Sequence, residues 1–561
     1  MMSSRWSRLR LDDLLFCLIL AGIVCAVVGR TLTGFEHDIF EDDAYYYTVL
    51  ARNIAASHSS TFDGISRTNG AHPLLLAVQV LLALFLGPRT SPLRFYSSLM
   101  ILYAVFLLGF VILLFILRRG SARNEERGLF FLTLAPALAY MFLPQHLPLI
   151  YQGMESVLAF PLCVLLLIWL AFRKETPAGL AGLLLVAARL DTFTFVLLPL
   201  AAFYALAGGR EKGGFRSLAG RFLHLALPAS VFVGLYMLYN WLQFGHSLPI
   251  HGVLKSSFPH VHLQVTNLFG LGHGWTARFN HQPFRCLLAG AAAGLLLLRR
   301  GKLAPSLHRL GIVLLLVTAT ELGNLLLFQK WGKPMTSWYV WLPLFTSMAA
   351  LAFGLAHQIP ARGMRLLGLG LGGILFLTAG TDAAHRAGRA ILHPERHTRW
   401  EKEIIRFIRT TPDTELWAAT DCGRLAYWGE RRFVNLDGLV NGFAYQERLR
   451  RGELADYLRE KGVRYLAAVL WDRAQTADHE YEPMYKCRVA ADAFSGNYEL
   501  YRFFVYSYLY GRYSDALLLP KEAEIWRSAP YRDGEAQSRY AVYDLSLAHG
   551  SAGAAAATLN R

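Results

Sequence analysis

The sequence predicts a polytopic α-helical membrane protein of about eleven transmembrane helices with a C-terminal soluble α/β domain. Three observations predict it. Only 17% of the 561 residues are charged and 54% are hydrophobic, whereas soluble chains carry about a quarter charged residues. The deficit is uneven, with charge sparse before residue 380 and common after it. The tail then alternates helix-like and strand-like runs, the order of a small α/β fold.

Apolar runs long enough to span, allowing for snorkelling ends, fall at 13–29, 97–117, 128–143, 154–172, 177–190, 192–207, 221–243, 284–298, 308–328, 338–357 and 364–380. The basic start (Arg5, Arg8, Arg10) leads into 13–29 with no cleavage pattern after it, so this run is an uncleaved first helix. A twelfth run, 72–86, is settled by the positive-inside rule. With the N-terminus cytoplasmic and 72–86 lying along the outer surface, the clusters around Arg118, Arg173, Arg210, Arg299 and Arg362 all fall inside. A crossing at 72–86 would turn those clusters outward. The run 177–207 divides at 188–191, because Arg189 and Asp191 at mid-bilayer would cost several kcal/mol. An odd number of crossings places the C-terminus outside, periplasmic or lumenal. The expected units are therefore 1–380, a transmembrane domain that includes the first external loop 30–96, and 381–561, an external α/β domain.

The net charge of +16 does not point to nucleic acid, because many Lys and Arg sit in short loops where they act as topology signals. The six cysteines form no CxxC and no zinc spacing. Cys17, Cys25, Cys163 and Cys286 read as small core residues. Cys422 and Cys487 either pair in an oxidising compartment or remain two buried thiols.

The loop 30–96 carries the densest chemistry. Glu41, Asp42 and Asp43 gather where the first helix leaves the membrane, and 42–56 reads as a helix with Asp42, Tyr46, Val49 and Asn53 on one face. Acids at a helix start also simply complement its dipole. Asp63-Gly64 and Asn69-Gly70 are turn pairs, and His72-Pro73 opens the surface helix. Other external turns supply Glu155, Arg189 with Asp191, Lys330 to Tyr339 including Lys333 and Trp338, and His246, His251 and Lys255. Capping, an ion pair and an aromatic belt each explain one of these alone. Their agreement on one rim is the informative part.

Such a rim suits transfer of a sugar from a lipid phosphate, whose tail stays in the bilayer and whose head lies at its boundary. A carboxylate must accept the acceptor's proton, and cations or a metal must stabilise the departing phosphate. Asp42 or Asp43 is the candidate base. Arg52, Arg189, Lys255 and Lys333 are candidates for the phosphate, with Tyr46, His72, Glu155 and Asp191 as further substrate contacts.

Asp42-Asp43-Ala44-Tyr45-Tyr46 resembles the acidic pair that opens the first external loop in the GT-C superfamily of membrane glycosyltransferases, and His72-Pro73-Leu74 resembles its His-Pro-Pro stretch. Relatives of that kind include protein O-mannosyltransferases and aminoarabinose transferases, and the similarity extends over residues 1–380. It departs at Asp43, where Glu is more usual, and at Leu74, where the second Pro is missing. The resemblance implies Asp42 or Asp43 as base, inversion at the sugar carbon and a polyprenyl-phosphate leaving group. The expected activity is hexosyl or pentosyl transfer to a lipid, glycan or protein hydroxyl. Members differ on metal use, so a divalent ion at Asp43, Glu155 or His72 stays open. The alternatives are a transporter or flippase for a lipid-linked glycan and a non-catalytic membrane scaffold.

In the tail, 400–409 reads as helix, 415–419 and 433–436 as strands, 444–461 as a helix and 464–470 as a strand. Asp421 and Asp437 follow strands, where α/β folds often bind ligands, and Asp437-Gly438 equally reads as a turn. This domain is expected to cover the site or help bind the acceptor. The Gly-rich stretch 367–373 lies in an apolar run, where small residues allow close helix packing. The Ala, Gly and Ser-rich 546–561 is expected to be disordered.

Overall fold

Apolar runs that break at short basic loops can satisfy their backbone only within themselves in lipid, so they fold as helices. The computed structural model describes residues 2–36, 38–121, 124–209, 215–256, 261, 282–299, 301, 303–328, 339–392, 401–471, 488–490, 498–507, 511–529, 531–533 and 536–548. The first half runs α1 (Met2–Glu36), α2 (Asp42–Ser57), α3 (Pro73–Leu86), α4 (Pro92–Gly120), α5 (Glu125–Met141), α6 (Ser156–Ala171) and α7 (Glu175–Ala188). A π turn (Phe193–Leu197) then leads into α8 (Leu198–Gly209), followed by α9 (Phe215–Phe244), α10 (Ile250–Lys255), α11 (Gln282–Leu298), α12 (Pro305–Leu327), α13 (Trp341–Gln358) and α14 (Ala361–Leu392). Helices occupy all the apolar runs read from the sequence, and the division at 188–191 holds. Among the described residues, five helices are long and apolar enough to cross a membrane: Leu11–Phe35, Pro92–Gly120, Ala219–Phe244, Pro305–Leu327 and Ala361–His385. The protein is a multi-pass membrane protein.

Local chemistry fixes the helix ends. Ser91 accepts from the Arg94 N–H with Pro92 at the first position of α4, and Asn124 accepts from the Arg127 N–H at the start of α5. At one end of the bundle Arg365 pairs with Asp12, Arg118 with Asp13 at 3.4 Å and Arg221 with Glu175 at 3.9 Å. At the opposite end Arg30 Nε donates to the Tyr151 carbonyl at 3.2 Å, and Asn69 Nδ2 to Asn240 Oδ1 at 3.1 Å. Both flanks of α3 belong to this second end. The His72 N–H donates to the Tyr47 hydroxyl, and the Thr90 carbonyl accepts from Arg52, so α3 starts and finishes beside α2. The 367–373 stretch packs as its composition suggests, with Gly368 against Leu15 and Gly372 against Ile19 of α1.

The second unit contains α15 (Lys402–Thr410), β1 (Leu416–Ala419), α16 (Gly423–Gly429), β2 (Arg432–Asn435), α17 (Phe443–Arg450), α18 (Leu454–Glu460) and β3 (Val463–Trp471). After these come β4 (Arg488–Ala490), β5 (Tyr498–Ser507), β6 (Gly511–Pro520), β7 (Glu524–Arg527), β8 (Tyr531–Asp533), β9 (Ala536–Asp544) and α19 (Leu545–Ala548). One sheet has the order β2-β1-β3-β9-β7 with β8 on β9, and β4-β5-β6 form another. β1 is parallel to β2 and β3, while β9 is antiparallel to β3. Helical crossovers are what parallel neighbours require, and α16 to α18 supply them. The single helix expected over 444–461 is two helices. Gly452 turns the chain at φ 72°, and Asp515 Oδ2 accepts from the Leu454 N–H to start α18. In the tail, 546–548 belong to α19 rather than to a disordered end, and 549–561 lie outside the described residues.

The mixed α/β domain packs directly on the first loop. A Cβ at Gly70 would overlap the Leu439 carbonyl, and one at Gly423 would overlap the Asp42 carbonyl. Gly70→Ala is therefore expected to weaken docking by about 1–3 kcal/mol. Faster proteolytic release of the α/β domain from the purified full-length protein would report it.

Candidate active site at the domain-facing end of the bundle

The two aspartates occupy the first turn of α2, where the helix dipole favours negative charge. Consecutive helical residues point about 100° apart, and the pair divides accordingly. Asp42 accepts from the backbone N–H groups of Gly423 at 2.9 Å and Arg424 at 2.8 Å, capping α16 across the domain boundary. Asp43 turns the other way and meets Lys255 Nζ at 2.7 Å, with both side chains 13% exposed.

Lys255 leads into a cavity of about 410 Å³. Its polar wall holds His72, Arg189, Asp191, His251, Lys255 and Tyr339, and its apolar wall includes Phe193, Phe195, Val233, Met237 and Leu248. Arg189 forks onto Asp191, with Nε–Oδ1 and Nη2–Oδ2 both at 2.9 Å. Its guanidinium lies 5.2 Å from the Tyr339 ring centre, and Lys255 Nζ lies 5.7 Å from the same ring. The His72 and His251 rings meet edge to face at 4.6 Å. Nδ1 of each, and Oε2 of the buried Glu155, have no hydrogen-bond partner among the described residues. Buried polar groups are normally satisfied, so these three atoms are exceptions to that rule.

Burial holds both imidazoles below the usual histidine value, His251 well below, so they are neutral near pH 7. Burial also opposes the charge of Lys255, but Asp43 and Tyr339 outweigh it and raise its pKa. Burial raises Asp191 while Arg189 lowers it further, leaving a carboxylate.

Of the residues singled out from sequence, His72, Arg189, Asp191 and Lys255 line the cavity, Asp43 adjoins it through Lys255, and Glu155 lies near enough to act on His72. Asp42, Tyr46 and Arg52 turn instead to the α/β domain side. The Tyr46 hydroxyl donates to Asp437 Oδ2 at 2.7 Å, and Arg52 donates to the Thr90 carbonyl at 2.8 Å beside the Tyr427 ring. Lys333, Lys330 and Trp338 lie outside the described residues. Among the described residues no three His, Cys, Asp or Glu side chains assemble as metal ligands. Asp43, Glu155 and His72 do not form such a set.

Sequence reasoning placed His251 and Tyr339 at the rim without a role and passed over Glu321. His251 shares a face with Lys255 four residues on, a usable helical signal. Tyr339 looked like part of an interfacial belt. Glu321, fully buried in α12 with neither carboxylate oxygen bonded among the described residues, lies in the field of Arg189 and Asp191. An acid inside an apolar helix is a functional signal in its own right.

A second buried network joins the domains. Arg424 Nε donates to Asp38 Oδ2 at 2.7 Å and Nη1 to Glu401 Oε1 at 2.8 Å, and all three side chains are 4–6% exposed. The Tyr45 hydroxyl donates to Asp38 Oδ1 at 2.6 Å. Asn435 reaches Asp437, Tyr46 and Cys422. Cys422 is a buried free thiol, and Cys487 lies outside the described residues. Asp437 and Gly438 do form a turn, with Gly438 at φ 78°, but Asp437 is also buried, and that burial pushes its pKa well up.

Burial, with help from Asp421 and against Arg424, pushes Asp42 from 3.8 up to about 7. The folded state therefore holds this proton more tightly than the unfolded chain. Linkage makes this contribution to stability decline as pH rises from 3.8 through about 7 and stay flat above that. Thermal unfolding across that range is expected to show the decline in the parent protein and a flatter profile in Asp42→Asn.

Residues 389–543 match a family model described as a domain of unknown function, DUF8728. The match begins at the end of α14 and takes in the α/β domain as far as β9, leaving the bundle and its cavity outside. No curated protein matches the chain.

Proposed function

We propose that the protein is an inverting glycosyltransferase that moves a sugar from a polyprenyl-phosphate donor to an acceptor hydroxyl at the external membrane boundary. About eleven helices would cross the bilayer in a GT-C-like arrangement, with the basic end cytoplasmic and the α/β domain external. The observation that carries the reading is the cavity itself. One wall is apolar, as an isoprenoid tail needs, and the other brings Arg189, Lys255 and two neutral imidazoles with unpartnered nitrogens to one place.

In this reading the donor phosphate takes up Lys255 and Arg189, and Asp43, released from part of its ion pair, accepts the proton of the acceptor hydroxyl. The acceptor oxygen bonds to the anomeric carbon as the bond from that carbon to the phosphate oxygen breaks. The electron pair leaves with polyprenyl phosphate, whose charge the cations stabilise. Asp43 is favoured over Asp42 because both oxygens of Asp42 already accept backbone N–H groups. The α/β domain, fixed over the first loop, would cover the site or help bind the acceptor.

The test supplies purified full-length protein in lipid with a panel of polyprenyl-phosphate hexoses and pentoses and candidate acceptors. Acceptor-dependent release of polyprenyl phosphate is expected. A transporter reading has Glu321 in its favour, as a buried acid inside a spanning helix, and predicts donor crossing the bilayer without release. A scaffold predicts neither.

A further inference from the structure

Tyr236 of α9 lines two cavities, the one already described and another of about 300 Å³. The chain at the start of α3 divides in the same way. His72 lines the first space, and Ala71 and Pro73 line the second. Asn69 braces this partition, with Nδ2 donating to Asn240 Oδ1 at 3.1 Å and Oδ1 accepting the Ile250 N–H at 3.0 Å. Ile250 opens α10, the helix that carries His251 and Lys255.

The two cavities differ in charge. Arg189, Asp191 and Lys255 line the first. Among the described residues, no acidic, basic or histidine side chain lines the second, whose polar groups are Ser60, Thr68, Asn69, Asn240 and two tyrosines. Arg67 reaches the Phe244 ring, 5.6 Å from guanidinium to ring centre, without being part of the lining. A charged headgroup would lose hydration here with no counter-ion in return, whereas hydroxyls exchange hydrogen bonds with uncharged amides and hydroxyls.

The apolar lining continues onto surface suited to lipid. On α3, Ala77 and Val80 line the cavity, and Leu84, one turn further, is 54% exposed. On α9, long and apolar enough to span, Tyr239 lies on one stripe with Leu235 and Leu242, which are 62% and 66% exposed. A chain from the bilayer core can therefore enter between these two helices.

We propose that this cavity seats a neutral, hydroxyl-headed lipid that is the acceptor of the transfer, its headgroup against Asn69 and Asn240 and its chains along α3 and α9. The inference rests on the transferase reading and narrows its acceptor to a lipid. Donor and acceptor then meet across the partition of Tyr236 and His72. The acceptor oxygen bonds to the anomeric carbon, the bond from that carbon to the phosphate oxygen breaks, and the proton passes to Asp43.

The experiment irradiates the purified full-length protein in detergent with a diazirine-bearing diacylglycerol and maps the modified peptides. Label is expected in 71–80 and 236–244. Unlabelled diacylglycerol should displace it, and phosphatidylcholine and polyprenyl phosphate should not. Ala77→Trp, at an exposed lining position, blocks the entrance and should cut labelling about tenfold. Val80→Trp repeats the test should the first variant unfold at a lower temperature than the parent. In the release assay, diacylglycerol and glucosyl-diacylglycerol should support turnover, and glycerol and glucose should not. Displacement by phosphatidylcholine or by polyprenyl phosphate, labelling indifferent to both tryptophans, or equal turnover with glucose would each overturn the proposal. Failure of the transferase reading looks different: no polyprenyl phosphate is released with any acceptor while diacylglycerol still labels 71–80, which removes the acceptor role with it.

Discussion

Asp43→Asn is expected to lower polyprenyl-phosphate release by about a hundredfold to ten-thousandfold, with donor binding retained. The substitution keeps the shape of the side chain and removes only its capacity to take a proton. Lys255 loses its closest counter-charge but keeps Tyr339 beside it. The loss should therefore appear in kcat at saturating donor. Lys255→Gln should instead raise the donor concentration needed for half-maximal rate, because it removes a phosphate contact. Asp42→Asn is the matched control. It alters a cap on α16, so its turnover should stay within a few-fold while the domain contact loosens. Equal turnover in Asp43→Asn and the parent would remove Asp43 from the chemistry.

The largest structural effect is expected from Arg424→Gln. It leaves Asp38 and Glu401, both almost fully buried, facing each other without a counter-ion. Breaking a buried pair in this way costs about 3–5 kcal/mol, and here one arginine serves two acids. Docking of the α/β domain on the first loop should fail first, seen as a low-temperature unfolding step and rapid protease access to residues 401–471. Returning the neutral balance with Asp38→Asn and Glu401→Gln in the same chain should recover much of the loss. An unchanged unfolding profile in Arg424→Gln would show that the network does not hold the domains together.

The bundle was legible because lipid imposes a simple rule on backbone polar groups, and apolar length plus loop charge records it. The run 72–86 was legible as a helix, and its two ends lie beside α2. The acidic start of α2 and the turn at Arg189–Asp191 also stood out as local patterns. The division of labour between Asp42 and Asp43 did not, because it depends on partners 381 and 212 residues away. Nothing near Arg424 announces that it will neutralise Asp38 across 386 residues. The break inside 444–461 follows from one glycine and a distant aspartate cap. The strands after 471 escaped notice because neighbouring aromatics, as in Tyr501 to Tyr506, blur the alternation that marks a half-buried strand.

Photo-cross-linking with a diazirine-bearing polyprenyl phosphate, followed by mapping of the modified peptides, tests the main cavity most directly. Label should concentrate in 189–197 and 248–256, be displaced by unlabelled polyprenyl phosphate, and fall sharply in Lys255→Gln/Arg189→Gln. Label spread along the lipid-facing surfaces of the bundle and indifferent to those two cations would contradict the assignment of this space to a phosphorylated lipid.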